Sequence, residues 1–290
     1  MFDIVPQLIA NSVIAGSIYA LVAMSFSLIY GATKFFNLAH GVLAAIGGYT
    51  VFYLGRKLGL PLEVVLPAGI ILAAFVGWAL EYFLYRPLRA RKASSMVLLV
   101  ASLGAFTAIQ AVIAILFTSQ FQTLGALIPN SGVVHIGEAV MTEVQVVILA
   151  LSVAILVGLM LALKFTKFGR AVRAVSDDEE VAKIVGINTS RIVGWVFVVG
   201  SAIAGAAGIL VGFDTGLEPT MGLALLLKGV IAAIVGGVGS ISGAFLGAFL
   251  LGFAENFGIW HISGEWKDAI AFGILILFLL FRPQGILGRK

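Results

Sequence analysis

KFTKFGRAVRAVSDDEEVAKIVGINTSR, Lys164 to Arg191, is the one long polar interruption in an otherwise hydrocarbon-like chain. It carries Lys164, Lys167, Arg170, Arg173, Lys183, Arg191, Asp177, Asp178, Glu179 and Glu180, a large share of a total of 18 basic and 14 acidic residues. Each such charge costs about 3 kcal/mol at the centre of a bilayer, so this stretch must lie outside the lipid. Its order is that of a helix with defined ends. Ser176 stands three residues before Glu179, the spacing of a reciprocal capping box. Asp177, Asp178, Glu179 and Glu180 follow in the first turn, where the helix dipole favours anions. Val181, Ile184 and Val185 share a face with Ala182 beside them, and Gly186 supplies a residue able to take left-handed dihedrals past the end. The pattern predicts a short amphipathic surface helix of about two to three turns between two membrane spans. Just upstream, Phe165, Phe168, Val172 and Val175 fall on one side and Lys167, Arg170 and Arg173 on another, which suits the lipid headgroup boundary. The competing reading of the segment is a solvated charged loop that only sets topology.

The rest of the chain fixes the class. Hydrophobic residues make up 61% and charged residues 11% of 290 positions, with a mean hydropathy of +1.12. Soluble domains run at about 45–50% apolar and about 25% charged, so this is an all-α, polytopic membrane protein. At about 20 residues per span the length accommodates about eight to ten transmembrane helices in one domain over residues 1–290. Apolar runs occur near 8–30, 38–54, 62–84, 95–117, 143–163, 192–213, 221–235, 241–257 and 268–281. Basic clusters at Arg86, Arg89, Arg91 and Lys92, in the central segment, and at Arg282, Arg289 and Lys290 predict one cytoplasmic side. Counting back puts the C-terminus inside and the N-terminus outside, in keeping with an N-terminal stretch that holds Asp3 but no basic residue. That stretch does not read as a signal peptide. Arg56 and Lys57 then fall outside, against the rule, which leaves room for a re-entrant or broken segment near residues 31–50. The longest external loop is Thr118–Thr142, with Pro129, Asn130 and Gly132, either a plain connection or a docking surface.

Several chemistries are excluded. There is no cysteine, hence no disulfide or thiolate ligand. No G-x-x-x-x-G-K-[ST] loop, H-E-x-x-H helix or G-x-S-x-G elbow occurs, and His40, His135 and His261 are far apart, so neither ATP binding, metalloprotease chemistry nor a hydrolase triad has support. The net charge of +4 sits at span ends and reads as topology, with no sign of nucleic-acid binding.

Two stretches break the apolar pattern: GATKFFNLAHG (Gly31–Gly41) and GGVGSISGAFLG (Gly236–Gly247). Backbone irregularity at membrane depth is tolerated where it lines a cavity or is buried in protein, and transporters use it beside substrate. Candidate pathway residues are Asn37, His40 and Gly41 from the first break and Gly236, Gly237, Gly239, Ser240, Ser242 and Gly243 from the second. The alternative for Gly239, Gly243 and Gly247, spaced by four, is a smooth face for helix packing. Among charges inside spans, Glu81 lies within reach of Arg86 and Glu255 sits near the end of its run. Lys228 is left to snorkel outward or to line the pathway.

FNLAHGVLAAIGGY (Phe36–Tyr49), EYFLYRPLR (Glu81–Arg89), GRAVRAVSDDEEVAKIVGIN (Gly169–Asn188), GGVGSISGAFLGA (Gly236–Ala248) and RPQGILG (Arg282–Gly288) together resemble, in order and nearly end to end, the permeases of branched-chain amino acid ABC importers, LivH-type. Glu180-Val181-Ala182 followed by Gly186 is similar to the E-A-A-x-x-x-G coupling motif, with valine for the middle alanine, and Ser242 stands where the family often has proline. The resemblance implies a translocation subunit of the bacterial or archaeal cytoplasmic (inner) membrane. Its implied partners are a second related permease, two cytoplasmic ATPases that hold ATP and Mg, and an extracytoplasmic solute-binding protein; no cofactor belongs to the chain itself. It also implies that Ser176, Asp177, Glu179, Glu180, Val181, Ala182, Ile184, Val185 and Gly186 contact the ATPases. The alternatives are an ABC permease for urea, short amides or another small polar solute, and an ion-coupled secondary transporter.

Overall fold

In lipid every backbone N–H and C=O must find its partner within the protein, which makes helices the default for so apolar a chain. The computed structural model describes residues 4–128, 132–260 and 262–288. The order is α1 (Val5–Thr33), α2 (His40–Val51), α3 (Leu62–Leu80), α4 (Arg86–Ala90), α5 (Ser95–Phe117), a hairpin of β1 (Val133–Ile136) and β2 (Ala139–Thr142), α6 (Glu143–Phe165), α7 (Lys167–Asp177), α8 (Glu179–Ile184), α9 (Thr189–Asp214), α10 (Met221–Gly236), α11 (Ile241–Gly258) and α12 (Lys267–Phe281). Each of the nine apolar runs carries a helix. Among the described residues, six helical stretches are long and apolar enough to cross a membrane, and α10 is a shorter apolar helix.

Burial separates centre from periphery. Of the most apolar window, 83% is buried in α1 and 72% in α9, against 22% in α5 and 28% in α6. The centre is therefore α1, wrapped by α9, α10, α11 and α6, with α2 wedged between α9, α3 and α10. Among the described residues α1 has no charged side chain, and three of its four buried serines bond back to their own helix. Ser12 donates to Leu8 O (2.6 Å), Ser17 to Ile14 O (2.8 Å) and Ser25 to Val22 O (3.1 Å). That pattern satisfies hydroxyls where no water reaches.

Helices in lipid gain little from the hydrophobic effect and pack by close backbone approach instead. Where α2 crosses α9, a Cβ on Gly208 would fall on the backbone of Ala44, and one on Gly47 on the backbone of Gly205. In the α10–α11 hairpin Gly236 meets the backbone of Gly243, and Gly247 that of Ala232. The packing reading of the glycine-rich stretch therefore holds for Gly243 and Gly247, which lie within α11, and the true break is only Gly237–Ser240. The first break is likewise shorter than its sequence suggests. Gly31 to Thr33 remain in α1, Lys34 takes left-handed dihedrals (φ 56°), and α2 begins at His40.

The described parts of the three basic clusters lie at one end. The Lys34 ammonium donates to the carbonyl of Ser176 (2.6 Å), Ile286 N–H donates to Val235 O (2.9 Å), and Arg86 and Arg191 border one groove. At the opposite end lie the start of α1, the β hairpin and residues 214–218. There Gln7 accepts from Val140 N–H (2.8 Å), and Gln122 pairs with Leu217. Gly55 packs on Leu127, so Arg56 and Lys57 sit at this second end. Glu81 pairs with Arg89 rather than Arg86. A π turn over Glu81–Tyr85 changes the winding and carries Arg86 over the Tyr82 ring, 5.5 Å from its centre. Pro129, Asn130, His261, Arg289 and Lys290 lie outside the described residues.

Candidate functional site

At the basic end, α6, α7 and α8 form a connected unit. Thr166 closes α6 and caps α7, accepting from Gly169 N–H (3.1 Å). The apolar side of α7 does not face headgroups. Val172 and Val175 are buried and Phe168 packs with them on the core, while the Arg173 guanidinium donates to the carbonyl of Leu163. The stripe Phe168, Val172, Val175 has the same period whether it meets lipid or protein, so the sequence alone does not choose between them.

Ser176 is not the cap of the next helix. It is in the last turn of α7 with Asp177, and Asp178 breaks the chain into an extended conformation (φ −154°, ψ 113°). The Asp178 carboxylate then accepts from Glu180 N–H (2.8 Å) and Val181 N–H (3.0 Å). Of several candidate caps in SDDEE, the carboxylate adjacent to the helix wins because both N–H groups converge on one oxygen. Glu179 and Glu180 occupy the first turn as expected. Partial burial pushes the Glu179 carboxyl up, but hydrogen bonds from Lys183 (2.8 Å) and Thr189 (3.2 Å) and the Lys183 charge outweigh it and hold it below the usual carboxylate value. Because the folded pKa is depressed, this contribution is fully present above the ordinary glutamate pKa of about 4.3 and fades as pH falls through the folded value.

At its far end α8 closes with Gly186 at φ +86°. Ile187 N–H reaches Ala182 O (3.0 Å) and Gly186 N–H reaches Lys183 O (3.1 Å), the two bonds of a Schellman motif. Ala182 is buried, whereas Val181, Ile184 and Val185 are 53%, 82% and 69% exposed. A six-residue helix is marginal alone, so its caps carry much of its order. Asp178→Ala is expected to cost about 1 kcal/mol locally. Amide hydrogen exchange should read this as roughly five-fold faster exchange at residues 180–186 with no change in α9.

Two cavities flank the middle of α1. The inner one, about 680 Å³ at the basic end, is bordered by Ser27, Gly31, Lys34, Arg173, Ser240 and Ser242. Gly239 lines it too, while Ser240 caps α11 by accepting from Gly243 N–H (3.1 Å). The outer one, about 660 Å³, is bordered by Ile14, Ile18, Tyr19, Asp214, Glu218 and Lys228, among others. Between them Leu21, Val22, Ala23 and Met24 are at most 2% exposed, so no open space joins the two cavities along α1.

Lys228 does more than snorkel. Its ammonium lies 3.1 Å from Glu255 Oε2, 3.3 Å from Asp268 Oδ1 and 3.2 Å from the Tyr19 hydroxyl, which itself donates to Glu255 (2.8 Å). The cluster ties α1, α10, α11 and α12 together. Sequence reasoning found Lys228 but not its partners. The signal was two lone charges of opposite sign in consecutive apolar runs.

The remaining pathway candidates are packed. Asn37 accepts from the Tyr85 hydroxyl (2.9 Å) and His40 Nε2 lies 2.8 Å from Ser25 Oγ, both residues almost wholly buried. Gly41 meets the backbone of Gly222, and Gly237, at φ +112°, that of Gly288. None of these four lines the inner or outer cavity, and neither do Gly236 and Gly243. The structure thus brings together the second-break residues Gly239, Ser240 and Ser242, with Gly31 and Lys34 of the first stretch beside them, leaves Lys228 at the other end, and packs Asn37, His40 and Gly41 away from both cavities.

Residues 8–279 match the family model described as branched-chain amino acid transport system / permease component. The chain is 35% identical to the high-affinity branched-chain amino acid transport system permease protein BraD of Pseudomonas aeruginosa, over 98% of this chain and 95% of that protein. Identity and coverage are the same for LivH, the permease protein of the same description from Escherichia coli. Among solved structures, PsaBC from Streptococcus pneumoniae, in complex with Fab, aligns with a TM-score of 0.54 over 94% of this chain and 91% of that one, at 14% identity, a likeness of fold. With motifs, helices and both relatives in agreement from end to end, the chain belongs to the family of branched-chain amino acid transport system permease components.

Proposed function

We propose that this chain is the translocation subunit of an ATP-driven importer of branched-chain aliphatic amino acids, working by alternating access. The observation that carries the coupling half of this reading is α8: a short helix, fixed at both ends, that holds Val181, Ile184 and Val185 exposed at the basic end. Three aliphatic side chains on a rigid projection suit a groove on a cytoplasmic ATPase, with Ser176 to Gly186 as the contact region. The positive-inside rule makes the basic end cytoplasmic, the C-terminus inside and the N-terminus outside. Partners in this reading are a second related permease, two ATPases that carry ATP and Mg, and an extracytoplasmic binding protein that supplies most of the selectivity. ATP binding and binding-protein docking act by stabilising different conformations of the permease. The chain itself needs no cofactor and catalyses no reaction.

The test is affinity purification of the tagged chain from its own host in mild detergent, beside Ile184→Glu. Burying a glutamate in an apolar groove costs several kcal/mol, enough to lower ATPase recovery by at least about 30-fold. Wild type should bring down two ATPases and a second permease, and the variant should lose the ATPases while keeping its size-exclusion profile. A wild-type chain that purifies alone, where a known importer of that host stays assembled, would overturn the reading. The buried Lys228–Glu255 cluster gives an ion-coupled carrier some footing. Uptake that collapses with a protonophore while ATP persists would favour it.

A further inference from the structure

The outer cavity has a charge pattern that the importer reading does not by itself require. Four charged side chains border it: Asp214, Glu218, Lys228 and Lys267. Lys228 is committed to Glu255 and Asp268. Among the described residues, Asp214, Glu218 and Lys267 make no ion pair, and Asp214 only accepts from Gln145 Nε2 (3.2 Å). Anions and a cation thus stand around one cavity without neutralising each other directly. Part of the wall is aliphatic: Ile14, Ile18 and Leu225, all under 9% exposed, and Met221. A volume of about 660 Å³ is in the range of small-molecule sites.

A ligand complementary to this arrangement carries a cation and an anion a few bonds apart and a compact apolar body. We infer that the outer cavity is a loading site for the zwitterionic head of an aliphatic α-amino acid, with the ammonium at Asp214 and Glu218 and the carboxylate at Lys267, backed by Lys228. The side chain lies on Ile14, Ile18 and Leu225. Urea and short amides present no charge to either group, and a monocarboxylate or simple amine satisfies only one. This rests on the importer reading for its choice of substrate, but it assigns recognition to the permease as well as to the binding protein. Each engaged charge exchanges water for a charge-assisted hydrogen bond, so affinity stays modest and the solute can move on.

The absence of cysteine from the sequence supplies the test. Ala224 is exposed and borders the cavity. Ala224→Cys, in the assembled complex in nanodiscs, is labelled with a methanethiosulfonate reagent, and its rate is read from the mass shift of this chain. Leucine at about 10 mM is expected to slow labelling by at least about five-fold, as a millimolar site requires. Leucinamide, without the carboxylate, and 4-methylpentanoate, without the ammonium, should slow it less than about two-fold, the cost of losing one charged contact. Lys267→Gln should abolish protection by leucine and bring leucine and leucinamide level, and Glu218→Gln should do the same for leucine and 4-methylpentanoate. Equal protection by all three compounds, no protection by leucine, or full protection in both variants would each overturn the assignment. Protection needs no ATP hydrolysis, so failed uptake with intact protection counts against the importer reading, and intact leucine uptake without protection counts against this one.

Discussion

Lys228→Leu is expected to strand the Glu255 carboxylate, which is 0% exposed and depends on Lys228 and Tyr19 for its partners. Breaking a buried ion pair from one side costs about 3–5 kcal/mol, because the remaining charge keeps its desolvation penalty and loses its counter-ion. For a chain of this size that corresponds to a fall on the order of 10 °C in the melting midpoint. Glu255→Leu should be similar but milder, since Lys228 can still turn to Asp268, whose side chain is 70% exposed. The informative member is Lys228→Leu with Glu255→Leu. Replacing both charges by apolar groups removes the penalty, so the double variant should recover at least half of the loss. Size-exclusion profiles after graded heating in detergent give the midpoints. If both single variants melt within about 2 °C of wild type, the cluster does not hold these helices together.

The second large effect is steric. Gly208→Ala puts its Cβ onto the carbonyl of Ala44, where α2 and α9 touch backbone to backbone, and neither helix can yield without moving the other. Overpacking of this kind costs about 1–3 kcal/mol even for one methyl group, and Gly208→Leu should prevent recovery of folded protein altogether. Gly158→Ala, on the exposed side of α6 with nothing within 4 Å of the new Cβ, is the control. There the only change is helix propensity, a gain of up to about 1 kcal/mol. The same substitution should therefore have opposite signs at the two sites. Equal melting midpoints would mean that glycine content, rather than this crossing, sets the stability.

What the sequence made legible followed from strong local signals. The apolar runs mark the helices because length and hydropathy suffice for that. Gly186 marks the end of α8 because few other residues take its dihedrals comfortably. The basic clusters mark one end because charge has nowhere else to go. What stayed hidden depended on which way a helix faces. α1 is buried nearly all round, so no stripe says which neighbour meets which side. The α7 stripe looks alike against lipid and protein. His40 and Asn37 sit in an irregular stretch that could line a cavity or be sealed, and the partners that seal them, Ser25 and Tyr85, lie on other elements. Ser176 lost the cap to Asp178 through backbone geometry that composition does not encode. The Lys228 cluster required knowing how far α11 runs past α10.

One rod borders both cavities, Ile14 and Ile18 in the first half of α1 and Ser27, Leu28 and Gly31 in the second, on roughly opposite faces at about 100° per residue. With 29 residues α1 is about 43 Å long. If it rocks as a stiff beam about its tightly packed middle, at Leu21 to Met24, a tilt of about 5° carries the two tips roughly 2 Å in opposite directions. Because the two cavities lie on opposite faces, such a tilt draws α1 away from both or presses it toward both. Rocking of this one helix therefore cannot alternate the two mouths; the helices on the far side of each cavity have to move as well.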